Sequence, residues 1–569
     1  MRPPAVVTIQ QTLAIPPALP QILVSLSEPA SALGQTPVIV PLDRSTLPPL
    51  LNAAAVGIYG GRLRTALNFH PAVQAMLMGL DGNNPVNSNL VFQLLAPDVE
   101  DIRWETTAVL GGGFLAVDTP AATCRIAGPV RTGGDVRVFA WPLTILAFIS
   151  AAGISGSGEL NELIVQVSAA QAAGFDVELD VCLGDQTLLV ATQAAIAGGL
   201  QGVRASPMPA TPEALLDIVN DRQAEIVHFF CHGISQGSQQ FLELATIVDT
   251  LTKTPQGSVQ LPVFRLWTQP GAQAAWMIVL NCCDSAAKPA PAGAGAGAQG
   301  PAIGSMAYRI VKEGGVPACV GMSEPIEHTD ANLVARNLYH QLFQDLAPLA
   351  AANSDTVVDF SGAVIAPRQA LRAKHLTSVG GREAGRWTLP ALYTTGAALR
   401  VQPLPNVSIQ QRIQLRTVAK FLAALPQDTP PGVRADALGL PQLAGIPESL
   451  CPDWLGRFER APLSTTQAGA VKNAADTLKT MFDAGIDVSV RSATRDIILA
   501  AVPRAAWPDP EGRPALTHKD RTRIAVVADY LRRLPAEADP ALRAQAMGYL
   551  DDIPPNLRPD AAGQLPLIL

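Results

Sequence analysis

Apolar and polar positions change rhythm twice along this chain. Up to about residue 135, short apolar runs bounded by Pro and Gly predict strands over 6–9, 21–25, 37–40 and 90–95. A helical pattern covers 52–66. Trp104-Glu105 predicts a half-buried strand end, and Gly111-Gly112-Gly113 a turn into a strand that runs to Val117. From 136 to 402 strand-like and helix-like runs alternate. Strands are predicted over 136–141, 143–149, 176–183, 239–244 and 316–322. Helices are predicted over 158–173, 212–221 (with Thr211 as N-cap), 306–313, 330–343 and 367–377. In the last of these, Ala370, Leu371 and Leu376 are expected to face inward. Beyond Pro403 the strand signals stop and helical spacing takes over. The pattern therefore predicts an α/β protein with a doubly wound, mainly parallel sheet, a β-rich N-terminal half (1–135) and an alternating domain (136–402).

Two stretches stand out as one site. Ile226-Val227-His228-Phe229-Phe230-Cys231-His232-Gly233 and Trp276-Met277-Ile278-Val279-Leu280-Asn281-Cys282-Cys283-Asp284-Ser285 are apolar runs that stop at reactive residues. Such runs read as buried parallel strands, and ligands of open α/β sheets sit beyond the carboxyl ends of the strands. A thiol attacks a carbonyl only as the thiolate, and an adjacent imidazole can take its proton and later return it to the leaving amine. His232 is thus a candidate base and Cys283 a candidate nucleophile, with Cys282 as the alternative thiol. Gly233 is expected to leave room for a substrate backbone, and the backbone amides of Gly233 and Cys283 to form an oxyanion hole. His228, deeper in the same run, reads as structural.

His-Phe-Phe-Cys-His-Gly and Leu-Asn-Cys-Cys-Asp-Ser resemble the paired motifs of CHAT-domain peptidases, caspase-like (clan CD) cysteine proteases related to separases, metacaspases and gingipains. Residue by residue, His232 matches the family's base and Cys283 its nucleophile. Cys282 falls where the family usually has alanine. The 51 residues from His232 to Cys283 are close to the roughly 50 of caspases. Trp104-Glu105 and Gly113-Phe114-Leu115-Ala116 are similar to a further family signature, with Arg103 in place of its proline. The resemblance covers roughly 1–402. It implies a caspase-like fold, a protein substrate and a bacterial setting, often regulated proteolysis including antiphage defence. Related proteases prefer basic residues before the cut. Glu324, at the end of the strand after Cys283, is a candidate to receive such a side chain. Asp284 is a candidate to assist there, or to hold His232 or the loop that follows.

That loop, Ala286 to Gly300, is rich in Ala, Gly and Pro and is expected to move beside the site. With 48% hydrophobic and 16% charged residues, the 569-residue chain is globular. A net charge of −7 removes an overall electrostatic case for direct nucleic-acid binding. Seven cysteines without paired spacing suggest a reducing cytoplasm. The start Met1-Arg2-Pro3-Pro4 lacks a secretory pattern. The longest uncharged apolar stretch, 139–154, is broken by Pro142 and Gly153, so no membrane span is expected. No phosphate-binding glycine motif follows a strand, and Glu327, His328 and Asp330 fit no usual metal spacing. No cofactor is called for.

The stretch 408–569 reads as an all-α repeat domain with a period of about 54–56 residues. Three helical hairpins are expected, over 408–453, 465–509 and 517–560. Stacked repeats present extended surfaces, so this region is expected to bind an activating or sensor protein. Two functions follow. One is a cysteine endopeptidase that cleaves a partner protein. The other is a catalytically silent CHAT scaffold that binds through its repeats.

Overall fold

A computed structural model describes residues 4–12, 21–50, 52–81, 89–130, 135–139, 141–236, 239–287, 304–351, 356–376, 382–397, 399–403, 409–443, 446, 451–456, 465–499, 508, 511–512, 516, 518–535 and 537–565. They form two units. One is Met1–Val136 with Pro142–Val401, the other Arg137–Trp141 with Gln402–Leu569.

The first unit is built on one twelve-stranded sheet. Its strands are β1 (Pro4–Gln11), β2 (Ile22–Glu28), β3 (Val38–Val40), β4 (Asn89–Leu94), β5 (Thr123–Ala127), β6 (Leu143–Ile149), β7 (Val177–Leu183), β8 (Val203–Pro207), β9 (Ile226–Phe230), β10 (Met277–Leu280), β11 (Ala318–Met322) and β12 (Pro390–Thr394). The spatial order is β3-β2-β1-β4-β5-β12-β11-β10-β9-β6-β7-β8. β1–β2 and β2–β3 are antiparallel. β12 runs parallel to β5 and antiparallel to β11, so it joins an N-terminal half-sheet to the half that carries the site. The neighbours from β11 through β8 are all parallel. The sheet is thus mixed and mostly parallel.

β6, β9, β10 and β11 are buried at every position. Strands covered on both faces read as unbroken apolar runs, which is how these segments look in the sequence. Val227 and Phe229 share a core cluster with Leu215 and Val219 of the helix Pro212–Arg222 and with Tyr308 and Ile310 of Met306–Lys312. His228, which alternates with them, meets Tyr339 of the helix His328–Leu346 on the other face. That helix lies against Ser157–Ala172. A Cβ at Gly158 would fall 2.1 Å from the Asn332 side-chain nitrogen, so the Asn332 side chain would have to shift to admit one. Local caps agree with the sequence: the Thr211 side chain accepts from the Ala214 amide and Ser305 from Tyr308.

The N-terminal half is tied in by charge. Trp104 and Glu105 are fully buried in a short 3-10 turn, Trp104–Thr106, rather than a half-buried strand end. Arg125 donates Nε and Nη2 to the two Glu105 oxygens, each at 2.7 Å, and Arg368 lies 3.7 Å away. Burial alone would raise the Glu105 carboxyl, but the Arg125 charge and hydrogen bond, with Arg368, hold it down to about 2. Gly111 to Gly113 all take positive φ, as a tight turn requires. The chain then enters a short helix, Leu115–Asp118, and not the expected strand. The Asp118 carboxylate accepts from the Phe114 amide and closes that turn. The helix predicted over 367–377 runs from Ile365 to His375; Leu371 is buried, but Leu376 lies past its end and is exposed, while Arg368 and His375 turn inward instead.

In the second unit the helices come in consecutive pairs. Ile409–Ala424 is followed by Pro431–Leu438, Thr465–Asp483 by Val488–Ile498, and His518–Arg533 by Pro540–Gly548. Leu415, Val418, Leu422 and Ala437 form a small core in the first pair, and Ile524, Val527, Leu531 and Ala546 one in the last. Arg434 caps the end of its preceding helix through Leu422 O (2.9 Å), Leu425 O (3.1 Å) and Pro426 O (3.0 Å), and also donates to Trp454 O (2.8 Å). Arg543 makes the corresponding set with Leu531, Leu534, Pro535 and Ala561. Gly456, Gly512 and Gly563 have φ of 75°, 79° and 80°. A Cβ on them would fall 2.1, 2.4 and 2.3 Å from the carbonyls of Ala419, Ala475 and Ala528.

Among the described residues no helix is long and apolar enough to cross a membrane.

Candidate active site

Register brings the histidine and the cysteine together. β9 and β10 are adjacent parallel strands in which Phe229 pairs with Leu280. His232 and Cys283 each follow three residues later, so they leave the sheet at the same level. His232 opens a hairpin, His232–Gln236 with Gln239–Leu244, extended by Val259–Pro262. This is the expected β-extension over 239–244.

The imidazole of His232 is fixed from one side. Its Nε2 lies 2.9 Å from the carbonyl of Ala152. A carbonyl only accepts, so Nε2 carries the proton and Nδ1 is left as the basic nitrogen. Ala152 sits in the turn closed by an Ala151–Ile154 bridge, with Gly153 at φ 75°. The turn follows β6, whose end is held by the Ser150 amide donating to Phe230 O. A hydrogen bond to Cys283 raises the His232 pKa above its ordinary value. Burial opposes the rise, while the Ala152 carbonyl and the charges of Cys283 and Glu243 add to it.

Cys283 is partly exposed, whereas Cys282 beside it is 1% exposed. The Cys283 Sγ approaches the Ile326 carbonyl at 4.0 Å. Its turn is clamped to β11: Ser285 Oγ accepts from the Met322 amide at 2.7 Å, and the Ala286 amide donates to Met322 O at 2.7 Å. Asp284 holds φ 54°, a left-handed conformation, directly after Cys283. Gly233 faces this turn. A Cβ there would fall 2.1 Å from the Cys283 carbonyl oxygen. The space expected for a substrate backbone is therefore filled by the cysteine's own main chain.

Glu324 follows β11 and is half-exposed. It pairs with Arg103 (Nη2 to Oε1, 2.8 Å), and Arg103 also donates to Ser323 O at 2.9 Å. Asp284 couples electrostatically to the same two groups. Burial raises its carboxyl pKa, Glu324 adds to the rise and Arg103 opposes it. Asp284, beside Cys283 in the chain, thus shares one charged cluster with Glu324 and Arg103. The sequence motifs gave no signal for Ala152, which acts through its carbonyl and so leaves no mark in residue type. Nor did they flag Glu243, which pairs across the hairpin from His232.

His228 is fully buried beneath the site. Its Nε2 is 2.9 Å from Glu159 and its Nδ1 3.1 Å from Tyr339 Oη, and Asn281 Nδ2 donates to Glu159 at 2.7 Å. Glu327 and Asp330 are taken by Arg386, with His375 and Lys374 also on Asp330. Among the described residues no group of His, Cys, Asp and Glu could hold a metal ion. Most of the loop Ala286 to Gly300 lies outside the described residues.

Residues 187–359 match the CHAT domain family, a span that includes His232, Cys283 and Glu324. No curated protein matches the chain. Among solved structures, the chain is similar to the crystal structure of the Arg-specific cysteine proteinase gingipain R. Identity is 10%, the match covers 58% of this chain and 68% of that one, and the TM-score is 0.33.

Proposed function

We propose that this protein is a CHAT-type cysteine endopeptidase that cleaves a partner protein in a regulated bacterial pathway such as antiphage defence. The observation that carries this reading is the orientation of His232. With Nε2 spent on Ala152, Nδ1 is the ring nitrogen left to take a proton from Cys283. The thiol proton passes to Nδ1, the thiolate attacks the scissile carbonyl, and the imidazolium protonates the leaving amine. Backbone amides of Gly233 and Cys283 would stabilise the oxyanion. Cys283 is the nucleophile because it is the exposed thiol of the vicinal pair. A basic substrate side chain would meet Glu324 and Asp284, in competition with Arg103. The helical pairs of 408–569 would act as three repeats that receive an activating or sensor protein in the cytoplasm. The recurrent arginine and glycine contacts support the repeat reading alone.

The test is thiol reactivity. Limiting iodoacetamide near neutral pH, read by mass spectrometry, is expected to label Cys283 selectively, and labelling is expected to disappear in His232→Ala. Labelling of Cys282 would reassign the nucleophile. Absence of selective labelling at both would favour the silent scaffold.

A further inference from the structure

Glu243 has no part in the reaction as written above. It lies on the strand Gln239–Leu244, directly across the antiparallel ladder from His232. Opposed residues in such a ladder project from one face with Cβ atoms about 4.5–5.5 Å apart. Leu242 and Leu244, on the opposite face, are fully buried in the core, as the period-2 alternation requires. Glu243 is itself only 4% exposed. A carboxylate is almost never buried without a compensating partner, yet the groups its charge acts on here are His232 and Cys231. Cys231 is a buried thiol and offers no positive charge. Of these two, the imidazole is the group that can carry a positive charge.

The surroundings of His232 narrow the assignment. The turn Ala151–Ile154 contributes a carbonyl and no ionisable side chain. The turn after β10 contributes the Cys283 thiol, and the next residue, Asp284, couples to Glu324 and Arg103 instead. The strand leading into His232 contributes Cys231. Among the described residues, Glu243 is therefore the carboxylate that acts on the ring.

We infer that Glu243 is a positioning residue that holds the dyad in its thiolate–imidazolium form. When the proton leaves Cys283 Sγ for His232 Nδ1, the ring gains a positive charge in a half-buried place. Glu243, opposite in the ladder, supplies the matching negative charge. The inference rests on the proposed dyad, but its test reads ionisation rather than turnover.

The experiment is the pH dependence of Cys283 alkylation by iodoacetamide in wild type and in Glu243→Gln, which keeps the shape and removes the charge. Below neutrality, near about pH 6.5, the variant is expected to react about tenfold more slowly, the equivalent of one pKa unit. The two curves are expected to converge at alkaline pH, where the thiol ionises unaided, and Glu243→Asp is expected to recover part of the loss. Superimposable curves would overturn the inference. A second measurement does not depend on the variant folding. In Cys283→Ala protein with Glu243 intact, the ring proton resonances of His232 are expected to titrate above the ordinary histidine value. Titration at or below that value would overturn the inference even if Cys283 proves unreactive in the wild type.

Discussion

A single methyl group at Gly233 would come within 2.1 Å of the Cys283 carbonyl oxygen. The obstacle is backbone and cannot rotate away, so Gly233→Ala must push the histidine hairpin from the cysteine turn. Displacements near 1 Å cost on the order of 100-fold in positioned reactions. Gly233→Ala is therefore expected to lower Cys283 alkylation at neutral pH about that much, with little change in the far-ultraviolet circular dichroism. Glu105 carries a prediction of a different kind. Its folded pKa, about 2, is depressed from the 4.5 of an unperturbed carboxyl. A depressed carboxyl stabilises the fold fully above its unfolded pKa, and that contribution fades as pH falls from about 4.5 through about 2. Removing the charge at neutral pH leaves Arg125 buried without its partner. Glu105→Gln is expected to destabilise the protein by about 3–5 kcal/mol, read by urea unfolding.

At the scale of elements, the strands were the easiest part of the sequence to read. β6 and β9 are legible because each is a continuous apolar run with polar or glycine boundaries, and β7 because Val177, Leu179 and Val181 alternate with the polar Glu178 and Asp180. The paired runs at 226–233 and 276–285 also located His232 and Cys283. Other features left weaker traces. The helix Gln186–Ala197 is alanine-rich with a weak apolar stripe, and β8 is largely exposed, so neither was marked by periodicity. Leu115–Asp118 reads as strand because its apolar residues are contiguous; it becomes helical because Asp118 reaches back to the Phe114 amide. Ala152 and Glu243 depend on a turn and on a hairpin register, which no local pattern encodes. The same holds for Arg434, whose four carbonyl partners lie on two separate segments. Each bond from a charged donor is worth about 1.5–3 kcal/mol. Arg434→Ala is expected to speed amide hydrogen exchange across 415–446 by more than tenfold, by removing the charged donor that those carbonyls share.

At the scale of the molecule, strands that neighbour in space but not in sequence meet at β1–β4, β5–β12 and β9–β6, and the widest separation in the chain is at β12. β12, from Pro390 to Thr394, sits between β5 and β11, where it pairs Tyr393 with Arg125 and Cys319 with Tyr393 across its two edges. Its partner on one side was made more than 260 residues earlier. Contacts of such separation are slow to form because the intervening loop must close first. The chain therefore emerges from the ribosome with every motif of the site already present and the middle of its sheet still open. Until residue 394 is out, β11, which clamps the cysteine turn, is an unpaired edge. Synthesis itself thus acts as a timer. A nascent chain halted before residue 390 is expected to keep β11 open to protease, and one halted well past 403 to protect it.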